Sequence, residues 1–271
     1  MNAMFRVFIF SVAGYLACTS IAEAADAGLI SFVDKPVLLI RDVALHLAGA
    51  GVPLQIGDMI ETAEGSMQIE GLGGTILSLG PNTRIYLGNA EMSLLEGWVK
   101  LQSSGVAIAI GTPRLRLPAA SGTVIIHVTF AREEIFVVEG SRSVTELDSR
   151  RETDRDLKLE REQYLVRLGD APGKISTRPD SEFIAEMPRG FLDPLVTVAE
   201  RLKGRVGLKK EKDVGFSDVE PWLTSNVGLR KRLVTRFIPR LKDRTFRHQL
   251  DSRLGQTPEW KPVLHPAPEK R

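Results

Sequence analysis

Asp218, Glu220 and Trp222 have the residue types and spacing that could support a reaction: two carboxyl groups close together beside an indole. Such a pair can divide the acid and base roles of glycoside hydrolysis, with the aromatic ring as a platform for the sugar. The same spacing has a structural explanation. Ser217-Asp218-Val219-Glu220 reads as a capping box, in which side chains satisfy the free amides at a helix start. Trp222 would then anchor the tail on the β-domain. The capping box accounts for the spacing unaided, so no catalytic residue is assigned.

Other reactive chemistry is sparse. His46, His127, His248 and His265 stand singly, with no His-Glu-x-x-His and no calcium-type Asp loop, so neither a metal nor a cofactor is expected. His127 alternates with Ile126 and Val128 and should face away from the core as a surface or interface residue. No serine sits in a Gly-x-Ser-x-Gly elbow. Gly71, Gly73 and Gly74 precede a strand rather than Lys-Ser/Thr, which makes them turn glycines and not a phosphate loop. The pattern points to a protein that is not an enzyme.

The remaining concentration of functional side chains is basic. On a helix, Arg232, Arg236 and Arg240 line one stripe, partly opposite a ridge of Leu229, Leu233 and Phe237. Arg244 and Arg247 extend it, and Trp222 and Trp260 are expected to be exposed nearby. The stripe is either a solvated face behind a packed ridge or an anion-binding face. Its ligand would be a lipid headgroup, an acidic glycan or an acidic envelope protein. These seven residues form the candidate interaction surface. Nucleic acid is not an expected partner of an exported chain.

The elements that must position these residues fall into two kinds. From Gly57 to Gly88, three alternating runs (Ser66–Glu70, Thr75–Leu79 and Thr83–Leu87) are separated by Gly-, Pro- and Asn-containing turns. Alternation of this period, broken by turn formers, specifies short antiparallel strands. Further strands are expected around Val37–Ile40, Val43–Leu45, Val52–Ile56, Met92–Leu95, Trp98–Gln102, Val106–Ile110, Arg114–Leu117, Val124–Phe130, Ile135–Val138 and Tyr164–Leu168. In the run from Val124, the residues Val124, Ile126, Val128 and Phe130 should share one buried face. With no intervening helices, the fold class is mainly β: a sandwich, jelly roll or short solenoid. Glu146–Glu162 reads as a solvated, charge-compensated hairpin tip.

Past Met187-Pro188 the signals become helical. Asp193-Pro194 reads as the start of a helix over Leu195–Lys203, Asn226 caps Val227–Ile238, and Pro239 breaks it. Asp243 caps Thr245–Leu254, which Gly255 stops, and the Pro-rich residues from Thr257 onward are expected to be extended.

Residues 1–24 resemble an export signal: Arg6, an apolar run from Val7 to Ala17, and Ala22-Glu23-Ala24 as a cleavage site. The apolar run is short for a membrane span, which needs about 20 residues. The single cysteine, Cys18, lies within it; lipidation there is the alternative processing, disfavoured because the preceding leucine is out of place. The expected location is the periplasm. Residues 25–188 carry a net charge of −7 and residues 189–271 a net of +9, so the basic tail could dock on the acidic part. The expected organisation is a β-domain over 25–170, a linker over 171–189 and a basic helical region over 190–271.

Gly57-Asp58 before Thr62, Gly65-Ser66, Gly74-Thr75, the strand to Leu79 and Pro81-Asn82-Thr83 resemble the FecR domain. Leu94-Leu95-Glu96-Gly97-Trp98-Val99, Thr112-Pro113, Ser121-Gly122-Thr123 and Val137-Val138-Glu139-Gly140 are similar to later elements of that family. The resemblance spans residues 35 to 170. It implies a non-catalytic β-module of the bacterial cell envelope, used for binding or scaffolding. Some members sense siderophore uptake and control an extracytoplasmic sigma factor, so envelope signal transduction is the first alternative. A glycan hydrolase using Asp218 and Glu220 is the second.

Overall fold

The computed structural model describes residues 26–266, apart from 72, 90, 106–107, 148–153, 203, 205 and 226. The export signal, Cys18 and the proposed cap Asn226 therefore lie outside the described residues. The first nine strands are β1 (Asp26–Val33), β2 (Val37–Arg41), β3 (Ala44–Ala48), β4 (Pro53–Gln55), β5 (Met59–Glu61), β6 (Met67–Glu70), β7 (Thr75–Leu79), β8 (Arg84–Leu87) and β9 (Glu91–Ser103). There follow β10 (Ala109–Gly111), β11 (Leu115–Leu117), β12 (Gly122–Val128), β13 (Arg132–Glu139), β14 (Arg142–Glu146), β15 (Arg155–Leu159), β16 (Tyr164–Leu168), β17 (Lys174–Ser176) and β18 (Lys209–Asp213). The protein is mainly β, with its helices toward the C-terminus.

The strands form two layers joined through β9. One layer runs β4-β1-β6-β7-β9-β12-β13-β16-β17. The other runs β18-β3-β2-β5-β8-β9-β10-β11-β14-β15, and its β9–β10 pair is parallel. The 13-residue β9 pairs with β8 up to Glu96 and with β12 from Gly97 onward, so it passes from one layer to the other. Gly97 makes this possible: its φ is +94°, and a Cβ there would lie 2.4 Å from the Thr83 Cα. The two expected strands on either side of Gly97 are thus one bent strand.

The alternation read from sequence fills the space between the layers. Leu39, Ile60, Met67, Leu77, Leu79, Ile85, Leu101, Val124, Ile126 and Val128 belong to one buried cluster. Burying an aliphatic side chain of this kind stabilises the fold by about 1.5–3 kcal/mol. Phe130 is a correction to the expected face. The chain turns after Val128, where the Thr129 amide donates to the Arg132 carbonyl at 2.8 Å, and Phe130 is 94% exposed at the hairpin tip.

Residues singled out by the FecR-like pattern act as fasteners. Buried Asp58 accepts two bonds from Arg41, at 2.9 and 2.7 Å, and one from the Gln55 amide. The Thr62 hydroxyl donates to the Gly80 carbonyl at 2.7 Å and accepts from the Thr83 amide at 2.9 Å. The Thr83 hydroxyl accepts from the Trp98 amide at 2.9 Å. Buried backbone groups at these turns are satisfied by short side chains, as a compact sandwich requires.

The C-terminal chain packs on part of each outer face. The helices are α1 (Ser181–Glu186), α2 (Phe216–Leu223), α3 (Val227–Phe237), α4 (Arg244–Leu254) and α5 (Lys261–Leu264). From α2 onward, Phe216, Val219, Trp222, Leu223, Leu229, Leu233, Phe237, Phe246 and Leu250 pack against Ile40, Leu45 and Met59 of the β18-to-β15 layer. On the opposite layer, α1 and the residues after it lie over Trp98, Ile125 and Tyr164. The segment expected as a linker thus contains β17 and α1.

Several helix boundaries differ from expectation. The helix expected over Leu195–Lys203 is absent from its described residues: a short 3-10 turn occupies Ala199–Arg201, and residues 195–198 belong to no regular element. The β-branched run Val196-Thr197-Val198 disfavours a helix, and side chains of the sheet hold its backbone instead. Helix α2 begins at Phe216, so Ser217 is inside it; Asp218 caps it by accepting from the Gly215 amide at 2.8 Å. Asp243 caps α4 as expected, accepting from the Thr245 and Phe246 amides. The described residues after Thr257 are not simply extended, because buried Trp260 leads into α5; residues 267–271 lie outside the described residues.

Candidate functional site

The candidate interaction surface does not hold together as one face. Trp222 and Trp260 are each 1% exposed, so both are core residues. Large indoles flanked by helix residues fill the gap between helices and sheet, and the Trp222 Nε1 donates to the Ile85 carbonyl at 3.4 Å. Arg236 points inward as well. Its guanidinium donates to the carbonyls of Asp42 at 2.6 Å, Ile40 at 3.0 Å and Gly57, and burial pushes its pKa down. Arg240 donates to the Val214 carbonyl at 3.0 Å and pairs with Asp243 at 2.8 Å. Arg236 and Arg240 fasten the helices internally, and Arg232, Arg244 and Arg247 remain exposed.

Asp218 and Glu220 are likewise engaged in structure. Asp218 caps α2 and pairs with Lys212 at 2.8 Å, while Glu220 pairs with Arg253 at 2.9 Å. Trp222 is buried, so no sugar platform stands beside them. Among the described residues, no group of three or more His, Cys, Asp or Glu side chains gathers to hold a metal.

His127 faces away from the central core, yet it is 6% exposed rather than a surface residue. The Trp98 ring stacks on it at 3.9 Å, and its Nδ1 lies 2.7 Å from the buried Glu134 carboxylate across β12 and β13. Tyr164 also donates to Glu134, and Arg132 bridges Glu134 to Glu182 of α1. Burial, reinforced by Glu134 and Asp180, pushes the Tyr164 phenol far above its ordinary range. This network ties three strands to α1.

Beyond α1, a strap of irregular backbone crosses the same layer. Lys100 donates to the carbonyls of Phe191 at 2.8 Å and Asp193 at 2.5 Å. Gln102 both accepts from the Leu195 amide at 3.0 Å and donates to its carbonyl at 3.1 Å. Gln68 donates to the Val196 carbonyl, and Glu70 accepts from the Val198 and Ala199 amides. Burial pushes the Lys100 ammonium down.

A concavity lies at one end of the sandwich, beyond the surfaces on which the C-terminal chain packs. It is a groove of about 730 Å³ lined by Arg84, Arg114, Phe130, Asp154, Arg167, Asp170 and neighbouring residues, including Leu95, Pro113 and Pro221. Arg114 donates to the Phe130 carbonyl at 3.1 Å and approaches the buried Glu133 at 3.4 Å. Burial pushes the Glu133 carboxyl up, against the Thr112 hydroxyl and the Arg114 and Arg167 guanidiniums. Arg167 donates to the carbonyls of Arg114 at 2.8 Å and Leu147 at 3.2 Å, and its Nε has no partner. The sequence hid Phe130 because it continues the apolar alternation of β12; the following Ala131-Arg132-Glu133-Glu134 was the available sign that the strand had ended.

No family model matches the chain, and no curated protein matches it. Among solved structures, it is similar to the crystal structure of a candidate anti-sigma factor from Parabacteroides distasonis, with 12% identity and a TM-score of 0.38. The match covers 47% of this chain and 62% of that protein, so the chain spans less than two thirds of its length.

Proposed function

We propose that this chain is a non-catalytic binding or scaffold protein of the bacterial cell envelope, built on a FecR-like β-domain and working in the periplasm. The observation that carries the reading is the division of the surface. The protein's own C-terminal chain packs on part of each broad face of the sandwich, and the end groove is left open beside an exposed Phe130. A concave site of about 300–1,000 Å³ with a few polar groups is the ordinary form of a ligand site. The internal bonds of Asp218, Glu220 and Trp222 support a structural role for the trio that could have suggested hydrolysis.

Cell fractionation and incubation with envelope test the reading together. The expected outcome is release by osmotic shock of a chain cleaved after Ala24, which then binds isolated envelope without liberating reducing sugar ends. Retention in the cytoplasm would remove the envelope role. Sugar release abolished by Glu220→Gln would replace it with the hydrolase.

A further inference from the structure

The groove's lining narrows its ligand. Among the described lining residues, Arg84, Arg114 and Arg167 are balanced by Glu96, Asp154 and Asp170. Arg84 is already paired with Glu96 at 2.7 Å and Glu61 at 3.0 Å, and Arg114 with Glu133 at 3.4 Å. A ligand of strong net charge of either sign would meet no surplus to recognise it. Planar guanidinium and carboxylate edges can instead bond neighbouring hydroxyl groups, which both donate and accept.

The polar edges of the wall are the Arg84 and Arg167 guanidinium groups and the Asp154 and Asp170 carboxylates; the Nε atoms of both arginines are buried, so contact with a ligand falls to their terminal nitrogens. Phe130 supplies the apolar element: a ring 94% exposed at the groove, on a turn pinned through its own carbonyl by Arg114. The electron-rich face of such a ring attracts the weakly positive C–H face of a sugar. Because the turn is already held, little ordering cost attends binding.

We propose that the groove binds a neutral saccharide chain, with one sugar stacked on Phe130 and its hydroxyls bonded by the arginine and carboxylate edges around Arg167. The site rests on the envelope-binding reading above and supplies its ligand class. A protein segment inserting into the groove is the competing occupant. The concave wall, evenly divided between charges of both signs, favours the saccharide.

Calorimetric titration of the purified full chain with chitotetraose, cellotetraose and maltotetraose, and with tetragalacturonate as the anionic control, tests the proposal. At least one neutral tetrasaccharide should bind, and no less tightly than the uronate. Phe130→Ala should weaken it ~10-fold, the order of one lost ring contact. Phe32→Ala should leave it unchanged, since Phe32 is a half-exposed aromatic of β1 outside the groove. Absence of neutral binding at millimolar sugar, preference for the uronate, or binding that survives Phe130→Ala each overturns the saccharide site. Photocrosslinking in isolated envelope separates this failure from that of the broader reading. If no sugar binds but Phe130→Ala abolishes a crosslink to an envelope protein, the groove is a protein site and the envelope role stands. If neither occurs, both fall.

Discussion

The C-terminal chain packs on part of each outer face of the sandwich, but by opposite means. On the β18-to-β15 layer, helices bury Trp222, Phe237, Phe246 and Leu250 against Ile40, Leu45 and Met59. On the other layer, the buried apolar cluster lies at the α1 end, around Trp98, Phe183 and Phe191, and Leu195 adds a buried side chain in the strap beyond it. The strap beyond it is held by side chains of Lys100, Gln102, Gln68 and Glu70 bonding its backbone. Stripping the helices would expose an apolar sheet face, whereas lifting the strap would expose a polar one that water can solvate. The helices therefore belong to the folding unit, and the strap is a weaker, separately detachable cover.

The largest effect should come from the helical face. Trp222→Ala leaves a cavity between α2 and the sheet, and should cost about 3–5 kcal/mol of unfolding free energy in urea titrations. A loss below about 1 kcal/mol would mean that the helices are not integral, and the contrast would collapse. On the strap side, Gln102→Ala removes two bonds to Leu195 that partly exposed groups can replace with water. The expected global cost is about 1 kcal/mol. The diagnostic is local: faster hydrogen exchange at the Leu195 amide, with core strands unchanged. Uniformly faster exchange would place the strap in the same cooperative unit as the helices.

How far the sequence exposed this arrangement depends on the range of the interaction. Strands β6, β7 and β8 were legible within a residue because alternation and turn residues are local signals. Asp243 was legible as a cap for the same reason. The strap was not, because Asp193-Pro194 is a valid local helix start; what overrides it are partners on β6 and β9, about a hundred residues away in the chain. The arginine stripe failed for a related reason. Helical spacing placed Arg232, Arg236 and Arg240 together, but periodicity cannot reveal that carbonyls of Ile40, Asp42 and Gly57 await Arg236. The open groove was invisible because its walls come from hairpins and a helix far apart in sequence.

Acid should loosen the strap face selectively. Burial would push the Glu70 carboxyl up, but bonds from the Val198 and Ala199 amides, Ser31 and Gln68 hold it below its ordinary value. A carboxyl depressed in the folded state stabilises fully above its unfolded pKa of about 4.3, and that contribution is lost as pH falls through the folded value. Exchange at the Val198 and Ala199 amides, corrected for intrinsic rates, should therefore gain amplitude in that acid window before the helices open. Glu70→Gln should flatten the response. An acid response that begins instead in the helices would assign the pH-sensitive contact to the wrong face.

The smallest effect sharpens the comparison from the helical side. Glu220 and Arg253 join α2 to α4 at 2.9 Å, but the arginine side chain is 67% exposed. Water screens such a pair, and ordering two long side chains opposes it, so Arg253→Ala should cost no more than about 1 kcal/mol and less at high salt. Measured beside Trp222→Ala, this variant asks what fixes the angle between the helices. A cost of several kcal/mol would show that charge pairing, rather than the buried aromatic cluster, sets α2 against α4. The helical face would then resemble the strap in being fastened by polar groups. A small, salt-sensitive cost leaves the apolar cluster as the cause of that packing.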